Sequence, residues 1–197
     1  MIAIYAMAND QRAREAYSDL RKQSIPCILI GPEYGHASVI SKVPFLFAGR
    51  GCEEIVDGFH SSVPDIKIIR SYEALRADAL MERLQSVYGL DFSNLTRGGI
   101  RFMENRLYFF GNRLELTEQE KLIVRHLTLC HGVAFNSDEI ASFCLSGGKA
   151  TSVAVHICNI NAKNRASATE RIIYSKRYQG YYVKLEFPQH THSQLEK

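Results

Sequence analysis

Two stretches in the second half of the chain combine side chains suited to binding a polyanion. Residues 175–183 read SKRYQGYYV, in which Lys176 and Arg177 stand next to each other among tyrosines. Earlier, the segment KATSVAVHICNINAKNRA repeats polar residues at helical spacing, namely Ser152, His156, Asn159 and Lys163. Cationic and amide side chains donate hydrogen bonds to anionic oxygens. The pattern therefore predicts recognition of a polyanion.

The residues that catalyse reactions or hold metals do not gather anywhere in the sequence. The five cysteines are odd in number and never form C-x-x-C; they are Cys27, Cys52, Cys130, Cys144 and Cys158. We interpret them as buried thiols, with a redox-sensing pair as the alternative. His156 has no catalytic companion. We interpret it as a helix histidine that binds a phosphate or packs against the hairpin at residues 175–183. The sequence predicts no enzyme, no cofactor and no metal.

Composition and charge are those of an ordinary globular chain with a basic second half. Hydrophobic residues make up 46% and charged residues 23% of the 197 residues. Residues 98–187 hold 12 Lys and Arg against 8 Asp and Glu, a net charge of +4, while the remainder has −1. This bias suits a polyanion, although a solvated surface with a modest excess explains it almost as well. With no long apolar run and no signal-like start, the expected location is the cytoplasm.

The first half of the chain alternates strand-like and helix-like segments. Strands are predicted at residues 2–8, 25–31, 44–49 and 65–71, and helices at 10–24, 52–62 and 71–89. Such alternation is typical of a parallel sheet covered by helices. We therefore expect an α/β domain at residues 1–90, followed by a polar, glycine-ended linker at residues 91–98.

The second half predicts a different architecture, at residues 99–187, before a polar tail at residues 188–197. Three short strands are expected in GIRFMENRLYFFGNRLELT. Thr117 and Glu120 form a T-x-x-E capping box for a first helix, and Ser137 is expected to cap a second. A third helix and a hairpin about Gly180 follow. Three helices followed by a hairpin is the order of a winged helix.

Three motifs follow one another in this half: LTEQE (Leu116 to Glu120), VAVHI (Val153 to Ile157) and RYQGY (Arg177 to Tyr181). Together, and in this order, they resemble the winged-helix output domains of OmpR/PhoB-type response regulators. The resemblance implies an α+β winged helix-turn-helix that binds double-stranded DNA. It places the third helix in the major groove and Arg177, in the wing, in the minor groove. The wing tyrosines, Tyr178, Tyr181 and Tyr182, are expected to hold the hairpin by cross-strand packing.

The residues expected to contact DNA are Lys149, Thr151, Ser152, His156, Asn159, Asn161, Lys163, Lys176 and Arg177. Asn159 can pair with the edge of an adenine, while Thr151, Ser152 and Lys163 suit phosphates. Cys158, Asn159 and Asn161 stand where the family often has arginine. Fewer helix cations release fewer counterions, so we expect modest affinity that depends more on dimerisation.

PFLFAGRGCEEIVDGF (residues 44–59) and IKIIRSYEALRADALMERL (residues 66–84) are similar to the fourth strand with its following helix, and the fifth strand with the last helix, of a response-regulator receiver. On these segments the first half resembles a reduced receiver domain, a flavodoxin-like α/β fold. In place of the acidic pair that holds magnesium after the first strand it has Ala6 and Met7, and Asp10 is the only nearby carboxylate. Ala48 occupies the switch position, and the segment that would carry the phosphoacceptor is too short. The resemblance implies dimerisation through the helix from Ala74 to Val87. A weaker alternative is an anion site at Gly49-Arg50-Gly51.

The sequence thus predicts a phosphorylation-independent, DNA-binding transcription regulator that acts as a homodimer, with RNA polymerase as a further expected partner. The sequence leaves two alternatives open. One is a protein-interaction adaptor that uses the winged helix without DNA. The other is a regulator that senses a small ligand through the N-terminal domain.

Overall fold

The structure is a computed structural model. The described residues are 2–23, 25–32, 37–62, 67–69, 76–88, 91, 94–145, 149–165 and 170–184. The expected tail at residues 188–197 lies outside them, as do Ala74 and part of the expected linker.

The elements are as follows in chain order. The strands are β1 (Ile2–Tyr5), β2 (Cys27–Ile30), β3 (Phe45–Ala48), β4 (Lys67–Ile69), β5 (Thr96–Arg97), β6 (Ile100–Met103), β7 (Arg106–Phe109), β8 (Asn112–Leu114), β9 (Ile173–Lys176) and β10 (Gly180–Val183). The helices are α1 (Gln11–Lys22), α2 (Glu53–Ser62), α3 (Ala77–Tyr88), α4 (Glu118–Leu129), α5 (Ser137–Cys144) and α6 (Ala150–Arg165), with a 3-10 helix at Ala37–Lys42.

The receiver-like domain contains β1 to β4 and α1 to α3. Its four strands form a parallel sheet in the order β2-β1-β3-β4. All four residues of β1 and of β3 are buried, which fits continuous apolar strands covered on both faces. The expected reduced, flavodoxin-like α/β fold is confirmed.

The winged-helix domain begins with an antiparallel sheet in the order β5-β6-β7-β8. Three of its strands were predicted. Strand β5, however, lies inside the segment predicted as a linker: Thr96 and Arg97 pair with β6, and the carbonyl of Leu95 accepts a hydrogen bond from the Phe102 amide. Leu95 is buried, so these residues belong to the second domain rather than to a linker.

Helices α4, α5 and α6 follow this sheet and end in the β9-β10 hairpin. The capping box of Thr117 and Glu120 is present at the start of α4, as predicted. The cap of α5 was predicted one residue too late. Asn136, not Ser137, is the N-cap: its side chain accepts from the Glu139 amide while the Glu139 carboxylate accepts from the Asn136 amide. Either residue type can cap, and the reciprocal pairing with Glu139 decides the position.

Buried apolar side chains of the two domains form one hydrophobic cluster. Strand β2 of the receiver-like domain packs against α5 of the winged-helix domain. Four cysteines are buried as predicted, whereas Cys158 is exposed on α6. Burial raises the pKa of the Cys27 thiol to about 12, so this thiol remains protonated. Within the described residues, no helix is long and apolar enough to span a membrane.

Candidate nucleic-acid interface

Helix α6 buries one stripe and presents the opposite face to solvent. The buried residues are Val153, Ile157, Ile160 and Asn164. Thr151, Val155 and Asn159 point away from this stripe, since each lies about half a turn from it at 100° per residue. The helix starts after Lys149, whose carbonyl accepts from both the amide and the hydroxyl of Ser152. Thr151, Val155 and Asn159 define the outward face of α6.

Most residues expected to contact DNA lie at or beside this face. Lys149, Thr151, Asn159, Lys176 and Arg177 are exposed, and Ser152 and His156 are half-buried. Their side chains are therefore reachable by a ligand laid along α6 and the hairpin.

Asn161 does not belong to this surface, and its assignment as a DNA contact is corrected. Its side-chain amide donates to the carbonyl of Ile173 at 2.9 Å, and its oxygen accepts from the amides of Ile172 and Ile173 at 3.2 and 3.1 Å. The side chain thereby satisfies three backbone groups where β9 begins. Asn161 joins α6 to the wing from within the domain.

Lys163 is likewise engaged within the protein rather than free for a phosphate. Its ammonium lies 2.7 Å from Oε2 of Glu120, whose side chain is only 2% exposed. Burial by itself would raise the pKa of Glu120, but hydrogen bonds from Lys163 and the Thr117 amide lower it overall. Lys163 therefore compensates a buried charge and ties α6 to the start of α4.

The hairpin differs from its prediction in how it turns. Lys176 pairs with Gly180, so the loop consists of residues 177–179 rather than being centred on Gly180. Tyr178 lies at the tip with a φ of 62° and is 92% exposed, so it does not pack across the strands as predicted. Tyr174 and Tyr182 do pack, with ring centroids 5.9 Å apart. The guanidinium of Arg177 lies 4.9 Å from the centre of the Tyr178 ring.

Gly180 is needed because another backbone segment lies against it. A Cβ at this position would come within 2.0 Å of the Phe135 carbonyl oxygen, and the φ of Gly180 is 113°. Next to it, Phe135 and Tyr181 exchange two hydrogen bonds, of 2.9 Å and 2.8 Å, between their amides and carbonyls. The wing is therefore held to the segment that connects α4 with α5.

Val155 is a candidate contact that the sequence analysis did not identify. It is 59% exposed at the centre of the outward face of α6. An exposed β-branched side chain can pack against the methyl group of thymine in the major groove. The available signal is the helical position of Val155 opposite the buried stripe, although an apolar residue type by itself suggests burial.

At the carboxyl ends of β1 and β3, Asp10 acts as a structural link. Its carboxylate accepts from the Ala13 amide, which caps α1, and from the Arg50 amide, both at 3.0 Å. A Cβ on Gly49 would lie 2.6 Å from this carboxylate, so glycine permits the approach. The Arg50 amide, which the predicted anion site at Gly49-Arg50-Gly51 would use, therefore already donates its hydrogen bond to Asp10. The described residues contain no group of three or more acidic, histidine or cysteine side chains placed to hold a metal ion.

The structural neighbours of this chain are response regulators. The DNA-binding domain of the response regulator AdeR, solved in complex with an intercistronic region, is 19% identical over 47% of this chain and 99% of that chain, with a TM-score of 0.42. DrrB, a Thermotoga maritima OmpR/PhoB homologue, is 10% identical over 92% of this chain and 97% of the DrrB chain, with a TM-score of 0.42. A mutant of RitR is 13% identical over 94% of this chain and 99% of the RitR chain, with a TM-score of 0.41. No family model and no curated protein matches the sequence.

Proposed function

We propose that this protein is a transcription regulator that binds double-stranded promoter DNA through α6 and the β9-β10 wing. The observation that carries this proposal is the exposed face of α6 next to a cationic wing whose position is fixed from two sides. Asn161 fastens the wing to α6, and the Phe135-Tyr181 bridge fastens it to the α4-α5 connection. A helix and a hairpin held in this way can engage neighbouring grooves of one duplex.

In this function, each exposed side chain has a role set by its chemistry. Asn159 reads an adenine edge in the major groove, because its amide offers one donor and one acceptor. Thr151, Lys149 and Lys176 bind phosphates and set the register. Arg177 enters the minor groove, where negative potential is concentrated and guanidinium sheds water readily. His156, half-buried beside Asn159, supports the phosphate contacts.

We infer that the protein works without phosphorylation. The carboxylate nearest the end of β1, that of Asp10, is used by two backbone amides, and Ala48 at the end of β3 carries no hydroxyl. A receiver holds magnesium with carboxylates whose oxygens are free to coordinate it. The arrangement around Asp10 favours a fixed structural link over a switch.

We further infer that the regulator binds as a homodimer, with α3 as the candidate dimer surface and RNA polymerase as a further partner. The outward face of α6 carries Thr151, Val155 and Asn159, none of them charged. A monomer therefore neutralises few phosphates, and two copies are needed for tight binding. Sedimentation of the protein at micromolar concentration, alone and with DNA, measures this stoichiometry directly.

The test of the function is selection from a random pool of duplex DNA by the full-length protein. We expect enrichment of one sequence, called the selected duplex below, with affinity that falls steeply with salt. The matched control is a variant in which Lys176 and Arg177 are both replaced by Met, which should lose most of this binding. If no sequence is enriched and binding to duplex DNA does not depend on salt, the function is wrong. The adaptor alternative then gains support.

A further inference from the structure

Helix α5 is held at both ends by cations of the receiver-like domain. At its first turn, Nζ of Lys42 lies 2.6 Å and 2.7 Å from the two carboxylate oxygens of Glu139. At its last turn, the guanidinium of Arg21 donates to the carbonyl of Phe143. Unpaired carbonyls at a helix C-terminus attract cations, so the Arg21 contact complements the end of α5.

The contacts of Lys42 extend from Glu139 into the connection between α4 and α5. Its ammonium also donates to the carbonyl of Ala134 at 3.4 Å and lies 5.4 Å from the centre of the Phe135 ring. The Lys42 and Glu139 side chains are 28% and 12% exposed, so solvent screens this pair only partly. A lysine of one domain thus touches three residues of the other, in the connection and the first turn of α5.

The same connection positions the wing and starts α5. Glu139 accepts from the Asn136 amide in the capping box of α5. Phe135 exchanges its two backbone hydrogen bonds with Tyr181 of β10. Contacts therefore run without a break from Lys42, through residues 134–139, to the strand that follows the wing tip.

Docking of the receiver-like domain leaves the proposed DNA-binding face open. With Lys42 and Arg21 in place, Val155 and Tyr178 remain 59% and 92% exposed. The receiver-like domain therefore does not cover these two side chains of the proposed DNA-binding face.

We propose that Lys42 is a positioning residue for DNA recognition: from the receiver-like domain, it fixes the α4-α5 connection and, through the Phe135-Tyr181 bridge, the placement of the wing relative to α6. This inference rests on the proposed function, because the surface being positioned is the one assigned to DNA. It adds that the receiver-like domain contributes to DNA recognition, by positioning the wing, in addition to its proposed role in dimerisation.

The experiment compares full-length parent, Lys42→Met, Lys42→Arg and Lys67→Met. Lys67 is the matched control, since its ammonium lies 5.9 Å from the centre of the Phe45 ring within the receiver-like domain. Lys42→Met should weaken binding to the selected duplex about tenfold, a size typical of coupling between sites. It should weaken binding to a random duplex much less, because Lys42 is proposed to act through the wing and is not one of the proposed DNA contacts. Lys42→Arg should restore most of the loss, and Lys67→Met should match the parent.

Hydrogen exchange at the Phe135 and Tyr181 amides, without DNA, separates this inference from the proposed function. We expect faster exchange of both amides in Lys42→Met and nearly parental exchange in Lys42→Arg. Parental exchange in Lys42→Met would overturn the positioning role even if the protein binds DNA. Equal losses of affinity on the selected and random duplexes would overturn it too, since a smaller folded fraction would act alike on both. Failure of the parent to bind any duplex would instead overturn the function, and with it the role in recognition.

Discussion

Lys163 on α6 and Glu120 at the start of α4 form an ion pair of 2.7 Å in which the carboxylate is almost completely buried. The pair joins the proposed recognition helix to the capping box of α4, because the same Oε2 of Glu120 accepts from the Thr117 amide at 2.8 Å. One buried carboxylate thus serves a helix cap and an interhelical contact. This relationship gives Lys163 a structural role at a position where the sequence suggested a phosphate contact.

We predict that Lys163→Met lowers stability and leaves the electrostatics of DNA binding nearly unchanged. It removes the partner of a buried carboxylate, so the free energy of unfolding should fall by about 1–3 kcal/mol. The salt slope of binding to the selected duplex should stay within the error of the parent. Lys176→Met is the control and should do the reverse, keeping stability while flattening the slope by about one unit. Urea denaturation and salt titration measure the two effects; a flattened slope in Lys163→Met would contradict the structural role.

Asn159 and Asn161 lie two residues apart on α6, and replacing them should affect different properties. The substitution of Asn161 should lower stability, whereas that of Asn159 should lower sequence preference in DNA binding. Asn161→Ala leaves backbone groups of Ile172 and Ile173 without their partner, which should cost about 1–3 kcal/mol of stability. Asn159→Ala removes an exposed amide, so stability should be unchanged. Its effect should be a loss of preference of about 1–3 kcal/mol at one or two base pairs. Thermal unfolding of both variants and binding to single-base variants of the selected duplex test this pair. Equal stability of the two variants would contradict it.

These asparagines show where sequence reasoning stops. Periodicity and capping were sufficient for the main elements, because burial and the Thr117-Glu120 box are encoded locally. Whether a polar side chain on α6 faces solvent or its own backbone depends on where β9 returns, which involves residues distant in sequence. The Phe135-Tyr181 bridge and the contact of Lys42 with Glu139 are long-range in the same way. The pattern therefore predicted the winged helix but assigned Asn161 and Lys163 to the wrong partners.

His126 should make the protein sensitive to mild acid. It is completely buried between the rings of Phe135 and Phe143, each 4.6 Å away, and neither ring nitrogen has a hydrogen-bond partner in the described structure. Burial lowers the pKa of His126 well below its usual value. In mild acid the His126 imidazole therefore binds a proton in the unfolded chain but stays neutral in the folded chain. The free energy of unfolding should fall as the pH drops below about 6.5, by up to about 1.4 kcal/mol per pH unit.

The measurement is urea denaturation of the parent and of His126→Phe at pH 7.5, 6.5 and 5.5. The phenylalanine variant keeps an aromatic ring in the same cluster and has no proton to bind. All other titrating groups are common to both proteins, so the difference between the two pH profiles isolates His126. Parallel profiles would show that this histidine does not contribute.

Phosphodonors should leave the protein unchanged. The carboxylate of Asp10 accepts from the amides of Ala13 and Arg50, so it is occupied as a structural link. Acetyl phosphate or beryllofluoride with magnesium should therefore alter neither the intact mass, nor the sedimentation, nor the affinity for the selected duplex. Asp10→Ala should cost about 0.5–2 kcal/mol of stability through loss of the α1 cap, with DNA binding retained. A phosphoryl adduct in the parent protein would contradict this prediction.

Arg177 and Lys176 are adjacent cations, and the wing geometry predicts that only one of them reads sequence. The Arg177 guanidinium lies 4.9 Å from the centre of the Tyr178 ring at the tip of the hairpin. A guanidinium in a narrow minor groove favours A/T-rich sequence, whereas the binding of an ammonium to phosphate does not depend on sequence.

Both Arg177→Ala and Lys176→Ala should flatten the salt slope of DNA binding by about one unit. Only Arg177→Ala should abolish the preference for A/T-rich over G/C-rich flanks, and Arg177→Lys should keep the slope while reducing that preference. Salt titrations of the three variants on the selected duplex, on the same duplex with G/C flanks, and on random DNA give these values. If Arg177→Ala binds all three duplexes as the parent does, the hairpin does not enter the minor groove.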